Sequence, residues 1–268
     1  METFHAFILA LVQGATEFLP VSSSAHLILV PKFFDWPDQG VAFDAFISLG
    51  TLLAVIAYFR RDLAAIFYHW FAQFRRERPA DPGQYARLGN LLILATIPAV
   101  VVGFFLADYV DDYLRSPRLI AITSLVFGLL LGAADWFGRK RLTLAQTGWR
   151  AALVYGLAQA LSLIPGVSRS GITMTAGLAM GFDRQAAARF SFLMSIPITV
   201  AAGTLASVKM LASDAPLDWA ALGTGFVASA VAGYLCIKYF LHFLNRYGMW
   251  PHVVYRILLS ALLLAVFA

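Results

Sequence analysis

Apolar residues run along this chain in stretches long enough to matter on the scale of a bilayer, whose core of about 30 Å needs roughly 20 apolar residues in a helix. Six such stretches stand at about residues 41–59, 88–107, 117–137, 189–211, 219–241 and 251–268. Two further regions, 4–34 and 151–182, are equally apolar but broken in the middle, at Glu17 to Ser24 and at Ser162 to Gly171. Each arm of a broken region is too short to span. Pro20 and Pro165 stop the preceding helix, and the serines that follow suit the N-cap of the next one. The pattern therefore predicts an all-α polytopic membrane protein: six transmembrane helices plus two re-entrant helix-loop-helix hairpins, in one membrane domain over residues 1–268.

Placing Pro20 over Pro165 aligns EFLPVSS with SLIPGVS, 145 positions on. Each half, approximately 1–140 and 141–268, then reads as one hairpin followed by three spans. An odd number of spans per half reverses the second hairpin relative to the first, which predicts an inverted repeat. Composition agrees with a membrane setting: 60% of residues are hydrophobic, 13% are charged and the mean hydropathy is +0.74. The start METFHAF lacks the basic segment of a signal peptide, so the first apolar run is expected to stay in the mature chain.

Charge refines this layout without changing it. The net charge is +5, but no basic run is interleaved with exposed aromatics, so nucleic acid is not an expected partner. Most Lys and Arg, including Arg60, Arg61, Arg75, Arg76, Arg78 and Arg139 to Arg141, fall in loops 60–87 and 138–150. These loops are expected in the cytoplasm. Asp35, Asp38, Asp108, Asp111, Asp112, Asp214 and Asp218 mark the opposite, outer face, and both termini with it. The pairs Gly128/Gly132 and Gly177/Gly181 suit close helix packing or a homodimer. The lone Cys236, in an apolar run, reads as a structural thiol.

Backbone that is not helical at membrane depth is tolerated only inside protein or along a watery cavity, so the two breaks predict a polar site between them. In QGATEFLPVSSSAHL, Gln13 and Glu17 share a helix face, and Ser22 or Ser23 comes within a turn of His26. In PGVSRSGITMTAG, Arg169 offers a planar fork of donors for phosphate. Ser168, Ser170 and Thr173 surround it, and Gly171 permits close backbone approach. Each has a plainer reading. Arg169 pairing with Glu17 holds the hairpins together, the serines cap helices, and Gln13 and His26 serve as buried hydrogen-bonding groups. Charges at depth are usually functional, which favours a site over a scaffold. Inverted repeats with broken helices are also the build of secondary carriers, so a transporter or flippase of a lipid phosphate stands as the rival reading.

The two regions, QGATEFLPVSSSAHL and PGVSRSGITMTAGLAMGFDR followed by FSFLMSIP, resemble the signatures of the bacterial undecaprenyl pyrophosphate phosphatase family of bacitracin-resistance type, across essentially the whole chain. The resemblance implies a multi-pass enzyme of the bacterial cytoplasmic (inner) membrane, with its active site open to the outer side. Its reaction would be hydrolysis of undecaprenyl pyrophosphate to the monophosphate carrier used in cell-wall synthesis. It implies catalytic positions at Glu17, Ser22, Ser23 and His26, a phosphate-binding Arg169, and dependence on a divalent cation such as Mg²⁺ or Ca²⁺. Family members carry Glu or Gln at the first place of the paired motif, and Gln13 leaves Glu17 as the expected metal ligand.

These lines combine into one set of roles. Arg169 with Ser168, Ser170, Gly171 and Thr173 holds the phosphates, aided by Gln13 and Ser22, while Glu17 holds the metal or acts as base. Ser23, assisted by His26, delivers the attack, because Ser22 is the natural cap and Ser23 falls on the first helical turn. A metal-bound water is the competing nucleophile. The prenyl tail is expected between helices, reaching into the bilayer.

Overall fold

The computed structural model describes residues 2–75, 80–81, 84–114, 116–212 and 218–267. Arg76, Arg78 and Asp214, which carry part of the charge pattern, lie outside them, as do the side chains of Asp108, Asp111 and Asp112. Eleven α-helices make up the described chain: α1 (Thr3–Glu17), α2 (Ser23–Phe34), α3 (Val41–Tyr58), α4 (Arg60–Ala72), α5 (Tyr85–Tyr113), α6 (Pro117–Phe137), α7 (Trp149–Leu161), α8 (Arg169–Ala179), α9 (Arg184–Leu211), α10 (Trp219–Tyr247) and α11 (Trp250–Phe267). Five of them, α5, α6, α9, α10 and α11, are each long and apolar enough to cross a membrane. A sixth candidate passes only when α3 and α4 are taken together, and the two are bent by 79°. The fold is therefore all-helical and polytopic, with α3 as the sixth expected span.

The two broken regions appear as pairs of short helices. α1, α2, α7 and α8 have 15, 12, 13 and 11 residues, each short of the roughly 20 a bilayer needs. The restarts are built alike. Ser22 (φ 72°) caps α2 by accepting from the Ala25 amide, and Ser168 (φ 71°) caps α8 by accepting from the Gly171 amide. A positive φ is costly for a residue with a side chain, so both tips are strained at the same place. The caps stand one position further apart than the prolines do. The ungapped alignment is corrected accordingly: the second loop holds an extra residue, Gly166, whose φ of 89° and whose contact with Thr123 leave no room for a Cβ.

Packing crosses between the halves. α1 lies on α10, and α7 lies on α5, while α3 meets α9 and α6 meets α11. Small residues permit the closest approaches: a Cβ on Gly14 would stand 2.6 Å from the Ala232 Cβ, and one on Gly156 would stand 2.5 Å from the Ala95 carbonyl oxygen. Gly128 and Gly132 receive Arg256 and Val253 of α11, so this pair serves packing within the chain. The start of α9 is held by charge: Asp183 caps it, and buried Asp135 takes two nitrogens of Arg184, at 2.7 and 2.9 Å.

The hydrophobic pattern predicts a loop over residues 60–87. The structure instead turns the chain at Phe59 into α4, whose Leu63, Ile66 and Trp70 recur at helical spacing. Its Phe67, Tyr68 and Phe71 are exposed. An amphipathic helix of this kind lies along an interface and gives too weak a mean hydropathy to register as a span.

Candidate active site

The ends of α1 and α2 meet at the first break, and the chemistry concentrates there. Ser23, the first residue of α2, donates to Oε2 of Glu17, the last residue of α1, at 2.6 Å. Gln13, one turn earlier, donates to the same oxygen at 3.1 Å and to the Ser48 hydroxyl at 2.9 Å. Arg169, the first residue of α8, reaches across from the second break and donates to Glu17 Oε1 at 2.8 Å. The pair is largely buried, with side chains 13% and 16% exposed. A cavity of about 260 Å³ opens onto this cluster, lined among others by Gln13, Glu17, Ser23, Asp44, Ser48 and Pro165.

The other expected site residues are placed differently. Ser22 is buried and spent as the helix cap. His26 does not meet Ser23, which corrects the expected Ser23–His26 couple. Its Nδ1 lies 2.7 Å from the Ser22 carbonyl and its Nε2 lies 2.5 Å from the Tyr255 hydroxyl. A carbonyl only accepts, so Nδ1 carries the proton and Nε2 accepts from Tyr255. Both nitrogens are engaged and the ring stacks on Tyr255 of α11, and the Ser23 hydroxyl is bonded to the Glu17 carboxylate instead.

The loop expected to cradle phosphate uses most of its groups to hold its own shape. The Ser168 hydroxyl accepts from the Gly171 amide, Ser170 donates to the Leu19 carbonyl at 2.8 Å, and Thr173 bonds the Arg169 carbonyl and the Ser191 hydroxyl. Arg169 is the part of this loop that reaches the carboxylate in the cavity.

Three contributors were missed in the sequence. Asp44 and Ser48 line the cavity from α3; Asp44 sits at the start of an apolar stretch, where an acid reads as a span boundary. Arg256 of α11 is fully buried. Its Nε donates to the Ser124 carbonyl at 2.9 Å, and Nη1 to those of Pro20 and Val167 at 3.3 and 3.1 Å. Its Nη2 donates to Gly166 at 2.8 Å. One guanidinium thus ties the tips of both hairpins to α6. The signal was available, since an arginine inside an apolar stretch at 251–268 is an intramembrane charge.

The helices and this cluster define a polytopic membrane protein with a buried carboxylate, serine and arginine gathered at two broken helices. The chain belongs to the family described as bacitracin resistance protein BacA, whose model matches residues 6–262. It is 52% identical over 267 residues, covering 100% of both chains, to a relative from Dichelobacter nodosus (strain VCS1703A) named undecaprenyl-diphosphatase.

Proposed function

We propose that this chain is an undecaprenyl-diphosphatase of the bacterial inner membrane, releasing inorganic phosphate and leaving undecaprenyl phosphate. The observation that carries the mechanism is the 2.6 Å hydrogen bond from Ser23 to Glu17, with Arg169 on the other carboxylate oxygen. A serine hydroxyl needs a base within hydrogen-bond reach to act as a nucleophile. Glu17 takes the Ser23 proton as Oγ attacks the terminal phosphorus. The bond to the bridging oxygen breaks, and undecaprenyl phosphate departs with the proton that Glu17 gives up, which restores the carboxylate. Water, deprotonated by Glu17, then attacks the phosphoserine; the P–O bond to Ser23 breaks, Glu17 returns the proton to Oγ and inorganic phosphate leaves. Arg169 has five N–H donors and uses two of its nitrogens on Glu17 and the Ser191 carbonyl. Its remaining donors suit the phosphate oxygens, where positioning and charge neutralisation do most of the work in phosphoryl transfer.

A divalent cation fits this donor set. The cavity is lined by oxygen ligands, including two carboxylates, Glu17 and Asp44, and the Gln13 Oε1 is buried without a hydrogen-bond partner. Hard cations such as Mg²⁺ take oxygen ligands, few of them from protein. Glu17, Asp44 and Gln13 would hold such an ion, and when bound it neutralises pyrophosphate charge.

The prenyl tail has a matching path. An apolar cavity of about 680 Å³ between α5 and α7 is lined by Val102, Leu106, Leu157, Leu161, Leu163 and Ile164, and the next residue, Pro165, lines the polar cavity. The crosswise packing of hairpins on opposite halves supports an inverted repeat, and the charge pattern supports a site open to the outer face. Purified protein in detergent, where no gradient exists, is expected to release phosphate from undecaprenyl diphosphate. Lipid binding without phosphate release would favour the carrier reading instead.

A further inference from the structure

A second cluster of cationic and hydrogen-bonding groups lies at the far end of α3 from the active site. Tyr58 lines it, 14 residues beyond Asp44, which is about 20 Å along a helix. The recess, of about 430 Å³, takes Gln185 and Arg189 from the start of α9 and Lys238, Tyr239 and His242 from α10. Lys238 and His242 are four residues apart and share a helix face.

The partners of these groups show what is left over. Arg189 is fixed by Asp62 at 2.9 Å and lies over the Phe59 ring. The Gln185 amide is taken by the Leu241 carbonyl. Among the described residues, Lys238 and His242 form no ion pair with a carboxylate, and Lys238 rests near the Tyr239 ring. Asp62 therefore compensates Arg189 but not Lys238. Beside the cluster, Val231, Leu235, Tyr239, Phe243 and Tyr247 are exposed at four-residue spacing along α10, a continuous apolar stripe one residue round from the two polar ones. A charge with donors alongside an apolar stripe matches an amphiphile whose head is an anion.

We infer that this recess binds a phosphate monoester head, held by Lys238, His242 and the outer edge of Arg189, with any lipid chain lying on the Tyr239–Phe243 stripe. A lipid phosphate and free inorganic phosphate share this head chemistry. Native mass spectrometry of the whole protein in detergent separates them, with dioctanoyl phosphatidic acid, dioctanoyl phosphatidylcholine and inorganic phosphate as the probes. Wild type and Lys238→Gln/His242→Gln both keep the catalytic site, so their difference isolates the recess. The double variant is expected to bind phosphatidic acid at this second site at least ten-fold more weakly, Lys238→Arg to restore binding, and phosphate release from a prenyl diphosphate to stay within two-fold. Loss confined to phosphatidic acid assigns the recess to lipid, and an equal loss for inorganic phosphate assigns it to the free ion. Both outcomes support the phosphate site. Undiminished phosphatidic acid binding by the double variant, with release intact as the sign of a folded protein, overturns it, as does equally tight binding of phosphatidylcholine by wild type.

Discussion

Replacing Arg256 by Met keeps the length and bulk of the side chain but removes every donor from the junction of the two hairpins. Four buried carbonyls lose a donor, and three of them, those of Pro20, Gly166 and Val167, lie outside any helix, while that of Ser124 keeps its place in the α6 ladder. At about 1–3 kcal/mol for each of the three orphaned groups, the gross cost is on the order of 3–9 kcal/mol. The variant no longer bears the several kcal/mol of burying a guanidinium, which offsets part of that. A net loss of about 3 kcal/mol in stability is therefore expected. The catalytic effect is separate. Pro20 follows the Glu17 end of α1, and Val167 precedes the Ser168–Arg169 start of α8, so freeing both tips loosens the distance between Glu17 and Arg169. A misplacement of about 1 Å at reacting groups costs on the order of a hundred-fold in rate. The assay measures phosphate release well below the unfolding temperature, beside thermal unfolding in the same detergent. Arg256→Met should lower kcat about a hundred-fold while KM moves little, and Arg256→Lys, which keeps a charge and three donors, should recover part of kcat. An Arg256→Met protein with kcat within two-fold of wild type would refute the tie between hairpin tips and catalysis.

Three further outcomes are expected. Arg169→Lys keeps the charge but loses the planar fork, so turnover should fall at least about a hundred-fold, or about 2.7 kcal/mol in the barrier, with unfolding little changed; near-normal turnover would contradict phosphate binding by the fork. Gly171→Ala places a Cβ 3.0 Å from Arg256 Nη1 and 3.1 Å from the Ser168 side chain, so it should destabilise by about 1–3 kcal/mol, read as a lowered unfolding midpoint. In a Cys236→Ser background, a cysteine at exposed Asp38 should react with an impermeant maleimide on intact cells and one at exposed Arg139 should not; the reverse pattern would invert the orientation.

What the sequence made legible was whatever is encoded locally. Pro20 and Pro165 stop helices through their own backbone chemistry, and Ser22 and Ser168 restart them through caps, so both breaks could be read directly. The spans followed from hydropathy in the same way. Contacts set by distant segments could not be read. The bond from Tyr255 that turns His26 away from Ser23 joins positions far apart in the chain, and so do the bonds from Arg256 to four carbonyls. Helix α4 escaped because Arg60, Arg61, Asp62 and His69 interrupt its apolar residues, and the extra Gly166 escaped because proline is a stronger landmark than the cap that follows it. Asp44 was visible only as a charge at a span boundary until packing brought α3 beside α1.

Ser23 is the proposed nucleophile, with Glu17 as its base and Ser22 as the cap of α2. Separate Ser23→Ala and Ser22→Ala proteins, matched for expression and thermal stability, measure this most directly through the rate of phosphate release from undecaprenyl diphosphate. Ser23→Ala is expected to lose at least about three orders of magnitude, or roughly 4 kcal/mol in the barrier. Ser22→Ala is expected to lose much less, while giving up about 1 kcal/mol of stability with its cap. A Ser23→Ala protein that retains a tenth of the wild-type rate would contradict the account and make a water activated by Glu17 the nucleophile.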